Sequence, residues 1–355
     1  MKRLWKWILG AAALLLTVLA VYVIYVFAAY YRVEDRVELA VVDPPAERVR
    51  TGETYTAMTY NAGFFAYSAD YSFFMDGGKE SRARSEQAVM ENFAGAAAVI
   101  AAADPDFLLA QEVDVDATRS HHVDQAALML SVLPGHGSVY AQNYDSPYLF
   151  WPLTEPHGAS RAGVMTFTRF RANSALRRSL PIETGFTKFL DLDRCYSVTR
   201  LPVEGGGELC IYNAHLSAYT TDGTIADEQL VMLLGDMAAE YAAGNYVICG
   251  GDFNKDLLGD SPEIFGVSGE NFTWAQPFPT ALIPEGITLV SSLDPAAPVP
   301  SCRNADRPYD RAESFRLTVD GFLVSANVEA VSRVVDTGFA WSDHNPVMLE
   351  FVLKK

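Results

Sequence analysis

The sequence predicts an α/β protein in which two mixed sheets pack face to face between outer helices, preceded by one membrane-spanning helix. Three observations predict it. Apolar runs of strand length alternate with helix-length stretches from residue 55 to residue 353, the pattern of a layered sandwich. Half of the 355 residues are hydrophobic and 12% are aromatic, enough apolar surface for one large core. The third is an N-terminal apolar run unlike anything after it.

That run covers residues 8–31 without a charge, and Lys2, Arg3 and Lys6 precede it. A helix rises 1.5 Å per residue, so this length crosses a hydrocarbon layer of ~30 Å. A cleaved signal peptide has a shorter apolar core and a small-x-small cleavage site, which Ala28-Ala29 matches poorly. The basic flank and the uninterrupted length also argue against a buried globular helix. Basic flanks stay cytoplasmic, so the rest of the chain is expected outside, single-pass in the cell membrane. Trp5, Trp7, Tyr30 and Tyr31 fall at the two interfacial levels. Residues 1–31 thus read as a signal anchor. Residues 32–52, with Asp43, Pro44, Pro45 and Glu47, read as an extended linker. Residues 53–355 read as one catalytic domain.

Within that domain, residues 55–60 form a predicted strand ending at Asn61. Residues 81–103 form an Ala-rich helix with Ser81 as N-cap and Asp104-Pro105 as its stop. Residues 107–113 are a buried strand carrying Gln111 and Glu112, and residues 164–168 another. Residues 196–203 and 208–214 make a hairpin around Gly205-Gly206-Gly207. A helix over 225–242 leads to a strand over 246–249 that runs into Gly250-Gly251-Asp252. Residues 318–325, 330–335 and 347–353 complete the strands. Cys195, Cys210, Cys249 and Cys302 lack CxxC spacing, which argues against a structural zinc site. Four cysteines permit disulfides, but no pairing is indicated.

The formal charge is −17, from 44 acidic and 27 basic residues. This argues against tight, sequence-independent binding to duplex nucleic acid, which needs Lys and Arg to neutralise phosphates. It leaves a nuclease open, because a bound divalent cation reverses the local field at a carboxylate-rich site.

Polar residues with chemistry sit at the ends of six apolar strands: Asn61, Glu112, His215, Asp252 with Asn254, Asp320, and Asp343-His344. Singly, each reads as a turn former, a helix cap or a satisfied histidine. Six strand ends together read as a shared cleft. The segments Met58-Thr59-Tyr60-Asn61, Ala110-Gln111-Glu112-Val113, Tyr212-Asn213-Ala214-His215-Leu216, Gly251-Asp252-Phe253-Asn254, Val319-Asp320-Gly321-Phe322 and Ser342-Asp343-His344-Asn345-Pro346 resemble, in order, the endonuclease/exonuclease/phosphatase superfamily. That superfamily includes DNase I and the neutral sphingomyelinases. The resemblance spans residues 55–352, and its most specific parts are Gly-Asp-Phe-Asn and Ser-Asp-His.

The resemblance implies a DNase I-like four-layer α/β sandwich and a metal-dependent phosphodiesterase using in-line attack by water. Glu112 is the expected ligand of Mg²⁺, which prefers hard oxygen donors, with Mn²⁺ or Ca²⁺ as alternatives. Asn61 and Asp343 are expected to complete the metal site. His344 is the expected general base, a role suited to a side chain titrating near neutral pH. Asp252 and Asn254 would position the water and the phosphate, His215 would bond the phosphate or protonate the leaving group, and Asp320 would orient a histidine. Arg161 and Arg303 are candidate phosphate clamps, as is Arg307. Asp114, His121-His122, His136 and His157 read as loop or surface residues. The aromatic segments around Phe64, Phe65, Tyr67, Tyr71, Phe73 and Phe74 and around Tyr144, Tyr148, Phe150 and Trp151 read first as core. Their second reading is a wall for an apolar substrate, or contact with a lipid interface.

The expected partners are a phosphate-ester substrate, lipid or nucleic acid, and the membrane; no protein partner follows. The tether, the acidity and the aromatic loops point to a lipid phosphodiester, as for a sphingomyelinase. A DNase I-like nuclease fits the motifs equally, but no Lys/Arg cluster marks a DNA groove. A tethered, non-catalytic binding protein on the same fold predicts missing catalytic positions, whereas every one is filled.

Overall fold

Side-chain periodicity converts directly into layers here. The computed structural model describes residues 1–185, 188, 192–218, 224–269, 274 and 276–355. The apolar N-terminal run and its basic flank form α1 (Lys2–Ala29), long and apolar enough to cross a membrane and almost wholly exposed. Two short strands, β1 (Val37–Leu39) and β2 (Val49–Arg50), lead into β3 (Thr54–Asn61). Helix α2 (Glu86–Ala103) begins at Ser85, whose side chain accepts from the Ala88 N–H, and ends at Asp104 in the left-handed conformation. Next come β4 (Phe107–Ala117), the single-turn α3 (Gln125–Met129), β5 (Gly137–Asp145), β6 (Ser160–Thr168) and β7 (Ser174–Ser179). The three-glycine turn, all at positive φ, reverses the chain between β8 (Cys195–Glu204) and β9 (Glu208–His215). The order continues with α4 (Thr224–Ala242), β10 (Tyr246–Asp252), α5 (Ser261–Phe265) and β11 (Ile287–Val290). It closes with β12 (Cys302–Arg303), β13 (Arg316–Leu317), β14 (Asp320–Ser325), β15 (Val328–Val334) and β16 (Val347–Leu353).

One sheet has the order β15-β16-β3-β4-β6-β5. The other runs β1-β7-β8-β9-β10-β14-β11, with β2 alongside β8. Their inner faces meet through Ala57, Leu109, Leu349 and Phe351 from the first and Leu201, Ile211, Ile248 and Phe322 from the second. On the outer faces, α2 sets Val89, Phe93, Ala96 and Ile100 against Met58 and Leu108, and α4 sets Leu230, Leu233, Leu234 and Met237 against Tyr212 and Val247. This is the four-layer sandwich. A buried polar bridge crosses it: Gln111 Nε2 donates to Asn213 Oδ1 at 2.8 Å, and Asn213 Nδ2 donates to Met165 O at 3.1 Å and Thr166 Oγ1 at 3.2 Å. Buried amides need such partners, and this set fixes β4 over β9, the strands that carry Glu112 and His215.

Three expectations need correction. Residues 32–52 are not a free linker: β1 pairs antiparallel with β7, β2 runs parallel to β8, and Val49 is fully buried. Alternating Val37, Leu39 and Val49 gain more from covering a sheet edge than from solvent. Helix α2 starts at Ser85, four residues late, because the Ser81 hydroxyl donates to the Glu155 carbonyl instead. All four cysteines are buried free thiols, so no disulfide forms.

Candidate active site

Strand register gathers the predicted residues. The β9–β10 ladder pairs Asp252 with His215, and the β10–β14 ladder pairs Asp252 with Asp320. Three side chains therefore stand abreast at one end of one sheet. A Cβ at Gly251 would lie 2.0 Å from the Ala214 carbonyl oxygen, so only glycine lets β10 approach β9 this closely. In the other sheet Asn61 pairs with Gln111 at the ends of β3 and β4. Glu112 lies in a bulge of β4 with φ +53°, and bulges re-aim a side chain relative to the ladder. The segment before β16 brings in Asp343 and His344.

His344 Nδ1 donates to Asp320 Oδ2 at 2.8 Å, and Ser301 Oγ donates to the same oxygen at 2.7 Å. This leaves Nε2 facing the cleft, 3.8 Å from Asp252 Oδ2; His215 Nε2 lies 3.6 Å from that oxygen on another side. Asn61 Nδ2 donates to Asp252 Oδ2 and the Asn254 N–H to Oδ1, both at 2.9 Å. The two histidines feel opposite fields. Burial opposes the charged form of His344, but the nearby acidic groups, Asp320 foremost, outweigh it and hold its pKa well above the usual value. Burial, then the positive charge of Arg194 and His344, holds His215 well below it. Burial also pushes the Asp252 carboxyl up to about 6, against the opposing pull of His344. The two imidazoles are therefore driven in opposite directions on either side of the Asp252 carboxyl, His344 towards its charged form and His215 towards its neutral one.

The second half of the cleft is built from oxygen donors. Glu112 Oε1 is 3.4 Å from Asn61 Nδ2 and its Oε2 is 4.0 Å from Arg119 Nη1. Burial pushes the Asp343 carboxyl up to about 7; His344 and Arg303 oppose the rise, while Glu112 and Asp76 add to it. Asn61 Oδ1 accepts from the Gly63 N–H at 3.0 Å and keeps a second lone pair. Crowded carboxylates with an amide oxygen beside them suit a hard divalent cation. Asp252, Asp320 and His344 also have ligand atoms within 4.8 Å of one another, but Asp320 and His344 are already hydrogen-bonded together.

Six of the eight predicted core residues line the cleft, with Asn61 and Asp320 behind them. Arg303 lines it too, but its Nη atoms donate to main-chain carbonyls, including Ser68 at 3.1 Å and Tyr71 at 3.3 Å, and so tie down the loop after Asn61. Arg161 lies outside the cleft and pairs with Asp116 at 2.7 Å, both half-exposed; the β6 alternation turns it to solvent. Arg307 is likewise a surface pair with Asp306 and Glu313. Among residues the sequence reading passed over, Arg119 is buried, bidentate to Asp114 at 2.8 and 3.1 Å, and packed 4.1 Å over the Phe64 ring. Asp114 is therefore a buried partner on β4 and not a loop carboxylate. His157 forms part of the cleft wall, its Nδ1 donating to the Ser81 carbonyl at 2.7 Å, and burial lowers its pKa to about 4. Phe64, Phe65 and Tyr71 are core, whereas Tyr67 and Phe73 serve both core and cleft.

Residues 58–344 match the sequence pattern of the Endonuclease/Exonuclease/phosphatase family. Among curated proteins no sequence match is found. Solved structures share the fold. One is an endonuclease/exonuclease/phosphatase from Beutenbergia cavernae DSM 12333 (TM-score 0.59, 18% identity, covering 85% of this chain and 72% of that one). A second is ANGEL2, a 2',3'-cyclic phosphatase, in complex with adenosine-2',3'-vanadate (TM-score 0.56, 18% identity, 91% of this chain and 100% of that one). A third is the human Nocturnin catalytic domain with bound sulfate (TM-score 0.51, 19% identity, 90% and 97%). The sequence match runs from the β3 motif to the Ser-Asp-His motif, so this chain belongs to the Endonuclease/Exonuclease/phosphatase family, whose members hydrolyse phosphate esters.

Proposed function

We propose that the chain is a divalent-cation-dependent phosphodiesterase, held on the membrane by α1 with its catalytic domain outside, and that it acts on a lipid phosphodiester. One observation carries the chemistry: Asp252 sits between two buried histidines whose surroundings drive their charge states apart. Groups pushed apart in this way mark acid and base assignments. Asp252, with a pKa of about 6, takes the proton of the attacking water as its oxygen bonds to phosphorus. His344 presents a charged N–H at Nε2 to the phosphoryl group, where negative charge builds, and its proton goes to the departing oxygen as the P–O bond breaks. The proton on Asp252 then returns to His344 across 3.8 Å, which resets the site. This assigns the base to Asp252 in place of His344, because a histidine held as imidazolium by Asp320 has no lone pair to offer. Neutral His215 donates a hydrogen bond to the phosphate, and Asn254 fixes the Asp252 carboxylate. Glu112 and Asp343, with the Asn61 amide, would hold the cation, which supplies Lewis-acid polarisation of a phosphoryl oxygen; their hard donors suit Mg²⁺, and also Mn²⁺ or Ca²⁺.

The lipid reading is supported by α1, by the net charge of −17, which disfavours a nucleic-acid groove, and by aromatic side chains at the cleft. The test is turnover of bis(p-nitrophenyl) phosphate by the full chain with Mg²⁺, then with EDTA. EDTA-sensitive turnover that disappears in His215→Ala and Asp252→Ala is expected; turnover indifferent to EDTA or to both substitutions sinks the mechanism. Sphingomyelin, other phospholipids and single- and double-stranded DNA in the same assay then decide the substrate, and preference for DNA overturns the lipid reading.

A further inference from the structure

Outside α1, most exposed large apolar side chains among the described residues are scattered singly; Val231 and Leu282 share one shallow depression, and a run of three stands in one loop. Phe150, Trp151 and Leu153 are 49%, 65% and 76% exposed, within a charge-free run over residues 146–154 that begins at Ser146 and ends at Thr154. The run belongs to the loop between β5 and β6. Isolated exposed apolar residues need no explanation, but a contiguous aromatic patch does.

The loop is docked on the helix. Tyr22 Oη donates to the Tyr148 carbonyl at 3.1 Å, the Tyr148 N–H donates to Tyr25 Oη at 3.0 Å, and the Phe150 N–H points to Tyr22 Oη at 3.4 Å. The Tyr22 and Phe150 rings meet edge to face at 5.0 Å. Tyr25 and Tyr22 precede Ala29, the end of α1, by four and seven residues, which is about 6 and ~10 Å along the axis. Given the reading of α1 as a membrane span, on which this inference rests, the loop lies at the depth where amphipathic elements bury their apolar side. Main-chain groups at that depth have no water to bond and must find partners within the protein. Residues 148–150 have them: the tyrosine hydroxyls serve residues 148 and 150, and Leu149 exchanges both of its bonds with Gly158, at 3.0 and 3.1 Å. At its far end the loop reaches the cleft wall through His157, next to Gly158.

We infer that residues 148–153 form a second membrane-contacting element, inserted beside α1 into the outer-leaflet interface. The loop ties the cleft wall to the headgroup layer, where a lipid presents its phosphodiester. The strongly acidic chain selects a zwitterionic lipid surface over an anionic one.

The test uses the full chain reconstituted in phosphatidylcholine vesicles, with a nitroxide on Leu153→Cys and, as reference, on Val331→Cys, an exposed position on β15. The four native cysteines are buried, which directs the label to the new thiol. The Leu153 label should be open to oxygen and shielded from an aqueous nickel chelate, and the Val331 label the reverse. Equal access of the chelate to both overturns the inference. The combined variant Phe150→Ser, Trp151→Ser, Leu153→Ser should lose about tenfold in hydrolysis of lipid in vesicles, since interfacial binding scales with apolar area. Its turnover of soluble bis(p-nitrophenyl) phosphate should stay within about twofold, as surface substitutions allow; unchanged lipid hydrolysis, or an equal loss on both substrates, overturns the inference. A shielded Leu153 label in a protein without any turnover upholds the membrane contact while overturning the enzyme reading, so the two fail separately.

Discussion

On the His344 side of the cleft, the protein itself balances buried charge. Asp320 is bonded by His344 and Ser301, and Asp252 receives N–H donors from Asn61 and Asn254. On the Glu112 side, Asp343 crowds Glu112 and Asp76, and its pKa climbs to about 7. Carboxylates whose inward oxygens are already hydrogen-bonded are preorganised for proton handling. Crowded ones store repulsion that a divalent cation relieves. Under the proposed mechanism the difference separates two duties, and substitutions of equal size should act differently in the two halves.

The largest effect is expected from Asp252→Asn, which keeps the shape and removes the proton acceptor. Turnover of bis(p-nitrophenyl) phosphate should fall by about 10³-fold or more, on the scale of general-base and electrostatic contributions combined. Because the site is preorganised, circular dichroism and cation-induced stabilisation should survive. Loss of the cation response as well would merge the two halves into one.

Next comes Asp320→Asn. Removing this carboxylate withdraws the leading influence that raises His344, so the ring deprotonates at lower pH. In the proposed mechanism His344 acts in its charged form, so activity is expected to fall as pH rises through its pKa. The basic limb of the kcat/KM profile should therefore move to lower pH, with a loss of about 10²-fold at neutral pH. A shift of the acidic limb instead would return the base role to His344.

Asp343→Asn probes the other half through stability. The folded pKa of about 7 exceeds the ordinary 3.8, so between these values the unfolded state holds fewer protons than the folded one. Stability in EDTA therefore falls as pH rises from about 4 to about 7, and the penalty is complete above that. The variant should show a flatter melting-temperature slope across this window than the wild type. Added Mg²⁺ should stabilise the wild type more at pH 8 than at pH 5, because a ligand binding only the folded state adds to its stability. Equal slopes for the two proteins would show that Asp343 is not crowded.

The strand-end motifs were legible because each combines a strong apolar run with an abrupt polar residue, and register alone then brings Asp252 beside His215 and Asp320. The charge states were not legible. Nothing in the sequence distinguishes His215 from His344; burial acts on both, and the difference comes from the acidic groups around His344, Asp320 foremost, and from Arg194 beside His215, all distant in sequence. Arg119 escaped for a related reason. Its partner Asp114 looked like a loop residue, because the expected strand stopped at residue 113 while β4 continues to Ala117. The edge strand within residues 32–52 escaped because prolines and charges there read as a spacer, whereas sheet pairing is decided by the neighbour β7.

The smallest effect separates two arginines that look alike in sequence. Arg161 stands half-exposed on β6 with Asp116, outside both halves of the cleft, whereas Arg119 lies buried between Asp114 and Glu112. An exposed pair contributes about 0–1 kcal/mol, so Arg161→Ala should leave kcat/KM unchanged and lower the unfolding free energy by no more than that. Arg119→Gln should strip Asp114 of its partner and loosen Glu112, lowering cation affinity in a thermal-shift titration while the pH profile set by His344 stays in place. A fall in kcat/KM for Arg161→Ala would extend substrate contact along β6, beyond the two halves, and would require a substrate longer than a lipid headgroup.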